Sequence, residues 1–276
     1  MRSVDSNLYT TEYFLTENAG YKEFNESYGD ILDARYKKSL EVADVKPGMK
    51  VLDLGCGRGE VVINCAKKGA QAIGIDYSAD AIALAETALK MQPEEVRKNV
   101  QFIQLDSKKL AFPGEDFDCI FLLDFAEHLY PEEFDLVLKN AFYYLKKGGR
   151  LVIHTVPNKL FFVGYTYWRF MRIFLGLILR GKERPPKNPR NQYQILMHVN
   201  EMTPFQLRKY LKANGFKKIT IWLNSWGWLG VRLIHLPLSN PKVLLGRIIL
   251  ELFPLSLIYP LKLFFFESIL CIARKE

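Results

Sequence analysis

The first half of the chain alternates short apolar runs with stretches whose apolar residues recur at helical spacing. That rhythm is the signature of βαβ units and a parallel sheet. Apolar runs at Lys50–Leu54, 72–75, Val100–Gln104, Phe117–Leu123 and 150–155 predict five strands. A helix follows the glycine-rich segment after Leu54 and runs to about Lys68. An alanine-rich helix opens at Ser78, a suitable N-cap, and runs to Met91, with Pro93 beyond it. Pro131 opens a helix that runs to Lys146 and stops at Gly148-Gly149. Residues 20–43 predict a helical lead-in, and Pro47-Gly48 a turn.

Beyond Pro157 the rhythm breaks. A basic, apolar stretch runs to about Asn200. Thr203 then caps a helix ending at Asn214-Gly215, and residues 218–223 predict a sixth strand. A second apolar stretch covers 226–266, and 267–273 predict a last strand. The chain thus divides into a helical cap over 1–45, a core over 46–158, an insertion over 159–200, core again over 201–225, a second insertion over 226–266 and a terminal strand over 267–276.

The decisive chemistry lies after the first strand, in Val51-Leu52-Asp53-Leu54-Gly55-Cys56-Gly57-Arg58-Gly59-Glu60. Glycines there let the chain turn tightly and let a ligand approach the backbone. Dinucleotide-binding proteins share such loops, but a pyrophosphate needs the bare helix N-terminus. Here Asp53 and Glu60 bracket the loop, and the spacing is GxGxG. Two carboxylates repel a pyrophosphate and suit S-adenosylmethionine (SAM), which carries an ammonium and a sulfonium. Asp76 ends the second strand, placed to accept both ribose hydroxyls. Asp106 follows the third, placed to accept from the adenine amino group. Alone, each Asp reads as a turn or cap residue; the order and spacing of all three features point to the cofactor.

These stretches resemble the class I SAM-dependent methyltransferases, in particular the broad group that modifies quinones, sugars, lipids and other small molecules. The resemblance rests on VLDLGCGRGE, GIDYS, FIQLDSKKLAFPGEDFDCIFLLDFAEHL and YLKKGGRLVIHTVPN, over about residues 45–158. It implies an α/β, Rossmann-like fold with a seven-stranded, mostly parallel sheet, the last strand antiparallel. It implies that Asp53, Gly55, Cys56, Gly57 and Gly59 form the loop that cradles the methionine part. It also implies that Asp76 holds the ribose, that Tyr77 packs on the adenine, and that Asp106 and Ser107 close around it. Leu123, Asp124 and Phe125, at the end of the fourth strand, then lie beside the sulfonium. The cofactor leaves as S-adenosylhomocysteine.

Methyl transfer needs positioning, and a base only where the acceptor must lose a proton. Glu127-His128, just after the fourth strand, is the best-placed pair. His128 reads as a base or as a helix-start histidine, and Glu127 as a contact to the ligands or a favourable charge at the helix start. His154, at the end of the fifth strand, falls on the same carboxyl edge of the sheet; a core histidine is the plainer reading. In the lead-in, which the resemblance implies folds over the cofactor, lie Tyr9, Tyr13, Tyr21 and Arg35; Arg35 reads as a partner of the methionine carboxylate, and a solvated helix arginine is the plainer reading. Asn-Pro-Pro-Tyr-like and Asp-Pro-Pro-Tyr-like motifs are missing after the fourth strand, which speaks against methylation of a nucleic-acid base.

Charge changes the picture at one place. The formal net charge is +8, and residues 159–200 hold eight basic residues against one acid, Glu183. Arg169, Arg172 and Arg180 fall within an arc of about 80° on a helix whose other faces are apolar. Residues 181–190, with three prolines, read as a basic loop. Such a pattern suits the surface of an anionic membrane. The second insertion is broken by charges and by Pro254 and Pro260, which favours docking in the membrane plane over spanning. Both insertions are expected over the active-site edge. Four scattered cysteines without a CxxC pair predict neither a zinc site nor a disulfide framework and fit a reducing compartment. The acidic start of the chain, with no apolar run, predicts no secretory signal. The expectation is a cytoplasmic, peripheral membrane enzyme that methylates a lipophilic or lipid-linked acceptor, with no metal and no nucleic acid. The alternatives are a soluble small-molecule methyltransferase with an apolar lid, and a non-catalytic SAM-binding membrane scaffold.

Overall fold

A computed structural model describes residues 2–113, 116–179, 186–224, 260 and 262–276. Seven strands form one sheet: β1 Lys50–Leu54, β2 Gln71–Asp76, β3 Val100–Gln104, β4 Phe117–Leu123, β5 Leu145–Thr155, β6 Lys217–Asn224 and β7 Ser268–Arg274. Their order is β3-β2-β1-β4-β5-β7-β6. The first five are parallel, and β7 runs antiparallel between β5 and β6. The predicted sheet and its reversed last strand are therefore present.

The central strands β1, β4 and β7 and the second half of β5 are buried on both sides, which explains their continuous apolar runs, while the edge strands β3 and β6 are only partly covered. The two-residue period sorts them. Leu52, Leu54, Ile120, Leu122, Leu151 and Ile153 share one core with helices α7 (Pro131–Tyr144) and α10 (Pro204–Ala213). Val51, Cys119, Phe121, Leu123 and Val152 share the other with α3 (Ala34–Ala43), α4 (Glu60–Lys67) and α5 (Ala79–Lys90). All four cysteines are buried and free.

Caps set the helix starts. The Ser78 hydroxyl accepts from the Ala81 N–H at 3.2 Å, and Thr203 and Gln206 form a reciprocal capping box at 3.1 and 2.9 Å. The lead-in is broken into α1 (Thr11–Thr16), α2 (Tyr21–Ser27) and α3, because Gly20 and Tyr28 adopt left-handed conformations between them. The predicted helix end at Lys146 is corrected to Tyr144. Strand β5 begins at Leu145 and passes through both glycines, with a register shift between the pairs Phe117–Leu145 and Cys119–Arg150.

The first insertion contains α8 (Phe161–Leu179) and α9 (Gln192–Met197). The described end of the second holds the short α11 (Lys262–Phe265), which packs on α8. At Gly164 a Cβ would lie 1.8 Å from the Phe264 carbonyl oxygen, so only glycine permits this approach. The Asn158 amide donates to the carbonyls of Leu263 and Phe266 at 2.7 and 3.1 Å and ties the two segments together. On the opposite side of α8, Val163, Tyr167 and Phe170 are more than half exposed at i, i+4 and i+7 spacing. The Arg172 side chain, Arg180 and the stretch 226–259 lie outside the described residues, as do residues 181–185 of the basic loop. Among the described residues, no helix is long and apolar enough to cross a membrane.

Candidate active site

The carboxyl ends of β1 to β4 open into a cleft that continues into solvent. Open α/β sheets place ligands at this edge. After β1 the chain turns at Gly55, whose φ is +76°, and the N–H groups of Gly55 and Cys56 donate to the Ile75 carbonyl at 2.8 and 3.0 Å. A Cβ at Gly55 would meet the Phe125 ring at 2.4 Å. The turn is thus packed against the end of β4 and leaves backbone facing the cleft.

Asp76 closes β2 with its carboxylate held by two N–H groups, from Gly57 at 3.0 Å and Ser78 at 2.9 Å. Burial pushes it up to about 6, while these bonds draw it back towards ionisation. Tyr77 follows, edge-on to Tyr9. Asp106, after β3, accepts from the Lys108 N–H at 3.0 Å, and the Lys108 ammonium bridges Asp106 and Glu133 at 3.3 and 2.6 Å.

At the other end, Asp124 takes a left-handed conformation, φ +51°. Its carboxylate meets the Arg35 guanidinium at 2.7 Å and the His154 Nδ1 at 2.5 Å. Burial opposes its charge, but Arg35 and His154 outweigh burial and hold the carboxyl well below the usual range. The solvated reading of Arg35 is therefore corrected. Its side chain is buried, because Asp33 and Asp124 offer it two carboxylates beneath the cap.

The cleft brings together Gly55, Cys56, Gly57, Asp76, Tyr77, Asp106, Ser107, Leu123, Asp124, Phe125 and His128. Four other predicted residues do not line it. Asp53 is buried under the loop, with one carboxyl oxygen lacking a hydrogen-bond partner. Gly59 caps α4 behind the turn. His154 touches the cleft only through Asp124. Glu127 is wholly buried, its carboxylate accepting from the Thr155 hydroxyl at 2.9 Å and the Val156 N–H at 3.3 Å. Burial and the charge of Asp124 raise its pKa.

His128 is the one predicted catalytic residue on the wall. Its Nδ1 lies 2.8 Å from the Tyr9 hydroxyl, and burial pushes its pKa down to about 4, so the ring is neutral near pH 7. The cap supplies Tyr9, Tyr13 and Phe14 to the wall, while Tyr21 stays outside it. No described residue of either insertion lines the cleft.

Two features of the site were not legible beforehand. Tyr36, one residue past Arg35, lines the cleft. Arg58, inside the glycine loop, is 1% exposed. It donates to the carbonyls of Phe14 at 2.5 Å and Ala19 at 3.0 Å and pairs with Glu60 at 2.8 Å. It fastens the cap to the loop. An arginine lodged between glycines was the available signal.

The donor set fits SAM. The carboxylates of Asp76, Asp106 and Asp124 and the backbone of the glycine turn line the cleft, and the rings of Tyr9, Tyr13 and Phe14 cover it. Comparison with known proteins agrees. Residues 28–221 match the family described as "Methyltransferase domain". The chain is 28% identical over 190 residues to a ubiquinone/menaquinone biosynthesis C-methyltransferase of Methylococcus capsulatus, covering 65% of this chain and 72% of that protein. It is 28% identical to a demethylmenaquinone methyltransferase of Lactobacillus johnsonii, covering 74% and 81%. In fold it is similar to a SAM-dependent methyltransferase from Archaeoglobus fulgidus, with a TM-score of 0.58 and 20% identity over 92% of this chain and 99% of that one.

Proposed function

The chain belongs to this methyltransferase family and is a SAM-dependent methyltransferase; we propose that its acceptor is a lipophilic, quinone-type molecule met at a membrane surface. One observation carries the site assignment: Asp76 and Asp106, ending neighbouring strands, line a single cleft with the Gly55 turn and with Asp124, Phe125 and His128 opposite. SAM supplies an electrophilic methyl group. The protein's own groups bind and orient it. Backbone at Gly55 and Gly57 faces the methionine part, Asp76 accepts from the ribose hydroxyls, Asp106 accepts from the adenine amino group, and Tyr77 packs on the ring. Asp124, kept ionised by Arg35 and His154, presents a negative charge to the sulfonium. His128 faces the acceptor, and Tyr9, Tyr13 and Phe14 keep water out.

Two observations support the lipophilic acceptor. The relatives named above act in quinone biosynthesis. The exposed stripe of Val163, Tyr167 and Phe170 on α8 lies in the most basic part of the chain, as an in-plane membrane contact requires. The packing of α8 on α11 favours a second reading, in which the insertions cover a soluble acceptor. Transfer of labelled methyl from SAM into an extract of the source cells, followed by organic–aqueous partition, separates the two. Label in the organic phase is expected; label confined to the aqueous phase contradicts the lipophilic reading. A protein that binds neither SAM nor its demethylated product would contradict the enzyme assignment itself.

A further inference from the structure

We infer that Glu127, His128 and His198 form a binding site for a divalent transition-metal ion at the acceptor end of the cleft. The three side chains come from the turn after β4 and from the end of the first insertion, and one ligand atom from each lies within 4.8 Å of the others. Two imidazoles and one carboxylate are the donor set of zinc and non-haem iron sites that keep open positions. Nitrogen donors select such ions over magnesium.

The surroundings are those of a ligand cluster. The His128 and His198 rings pack edge to face with centroids 4.9 Å apart. The His198 side chain is 7% exposed, yet its Nδ1 is buried without a hydrogen-bond partner and stands 4.0 Å from Glu201. Glu127 is held in orientation by Thr155 and Val156, the kind of outer contact that fixes metal ligands. Among the described residues, its carboxylate accepts from Thr155 and Val156 and pairs with no cation. Zinc ligands about 2.0–2.2 Å from the metal sit closer together than these atoms do, so binding draws the two rings inward by rotation about their side-chain bonds.

His128 is the ligand that lines the cleft, so the open coordination positions face the acceptor. They suit an oxygen donor, such as the hydroxyl or carbonyl of a quinol or quinone, and the ion would hold that oxygen and withdraw charge from it. This deepens the proposed function and rests on it only for the identity of the oxygen donor. Glycine spacing concealed the site because His198 is seventy residues from His128 in sequence.

The test is titration of chelator-treated protein with Zn2+, and with Co2+ for its visible absorption. One equivalent is expected, with tetrahedral or five-coordinate cobalt bands. His198→Gln and Glu127→Gln, with helical content checked by circular dichroism, should each weaken binding at least about tenfold, as loss of a ligand or its support does. SAM binding by the same His198→Gln protein, in chelator, should match the unaltered chain, which shows that the variant is folded. Absence of Zn2+ and Co2+ binding, or equal binding by the folded His198→Gln variant, overturns the site. Failure of the unaltered chain to bind SAM overturns the methyltransferase reading instead and leaves the metal result to stand by itself.

Discussion

At the β1, β2 and β3 ends of the cleft, the groups that face the ligand come from short, contiguous stretches, and backbone N–H groups hold the key carboxylate: Gly57 and Ser78 bind Asp76. At the β4 and β5 ends the groups come from distant parts of the chain and hold one another by side chains. Arg35, Asp124 and His154 form one such set, and Tyr9, His128 and His198 another. The first half is a fixed receptor for one ligand, which any acceptor chemistry can share. The second is a network of buried charges and rings whose members can change with the acceptor. Loss of a carboxylate from the first half should therefore appear mainly in cofactor affinity, and loss of a charge from the second in stability and turnover.

The largest effect sharpens that contrast. Arg35→Ala removes the cation from a buried pair and leaves Asp124 to His154 alone, at a cost of about 3–5 kcal/mol in denaturant unfolding. Wild-type stability would mean that Asp124 is solvated and the second half is no network. Gly55→Ala comes next. It forces a side chain into a left-handed backbone and against Phe125, and roughly 2–4 kcal/mol of stability should be lost together with SAM retention. A variant that folds and binds normally would show that the turn is not packed as described.

The third concerns pH. Burial raises the folded Asp76 value to about 6, above the ordinary carboxylate value. A raised carboxylate favours folding in its protonated form, so this contribution is present at low pH and is lost as the pH rises through 6. Ribose binding needs the ionised form, so SAM affinity runs the other way, falling about tenfold from pH 7 to pH 5. Asp76→Asn should flatten that slope; a slope unchanged by it would place the titrating group elsewhere. The smallest effect is at the surface. Phe170→Ser should lower partition onto anionic vesicles about fivefold, on the order of 1 kcal/mol of apolar burial, and leave SAM affinity untouched. Equal partition would favour a soluble acceptor.

The same contrast explains what could be read from the chain. Strand ends, Asp76, Asp106 and the glycine turn follow local rules, since a period of two and a loop spacing suffice to place them. Ser78 caps its helix for a local reason as well. Arg35 was misread because its partners, Asp124 among them, come together only when α3 lies over β5. His154 meets the same carboxylate because Val152, two residues before it, faces α3. The end of α7 was misplaced because the register shift at Phe117, a tertiary feature, lets β5 run through Gly148 and Gly149. Arg58 drew no reading of its own, because its partners Phe14 and Ala19 lie some forty residues away in sequence.

The most direct measurement is titration of SAM into the unaltered protein and into Asp76→Ala. Loss of hydrogen bonds to a charged group at the ribose predicts about a hundredfold weaker affinity in a protein that still folds by circular dichroism, with a modestly lower unfolding midpoint because the Gly57 and Ser78 N–H groups lose their acceptor. Equal affinity for the two proteins would contradict the placement of the cofactor across the ends of β1, β2 and β3.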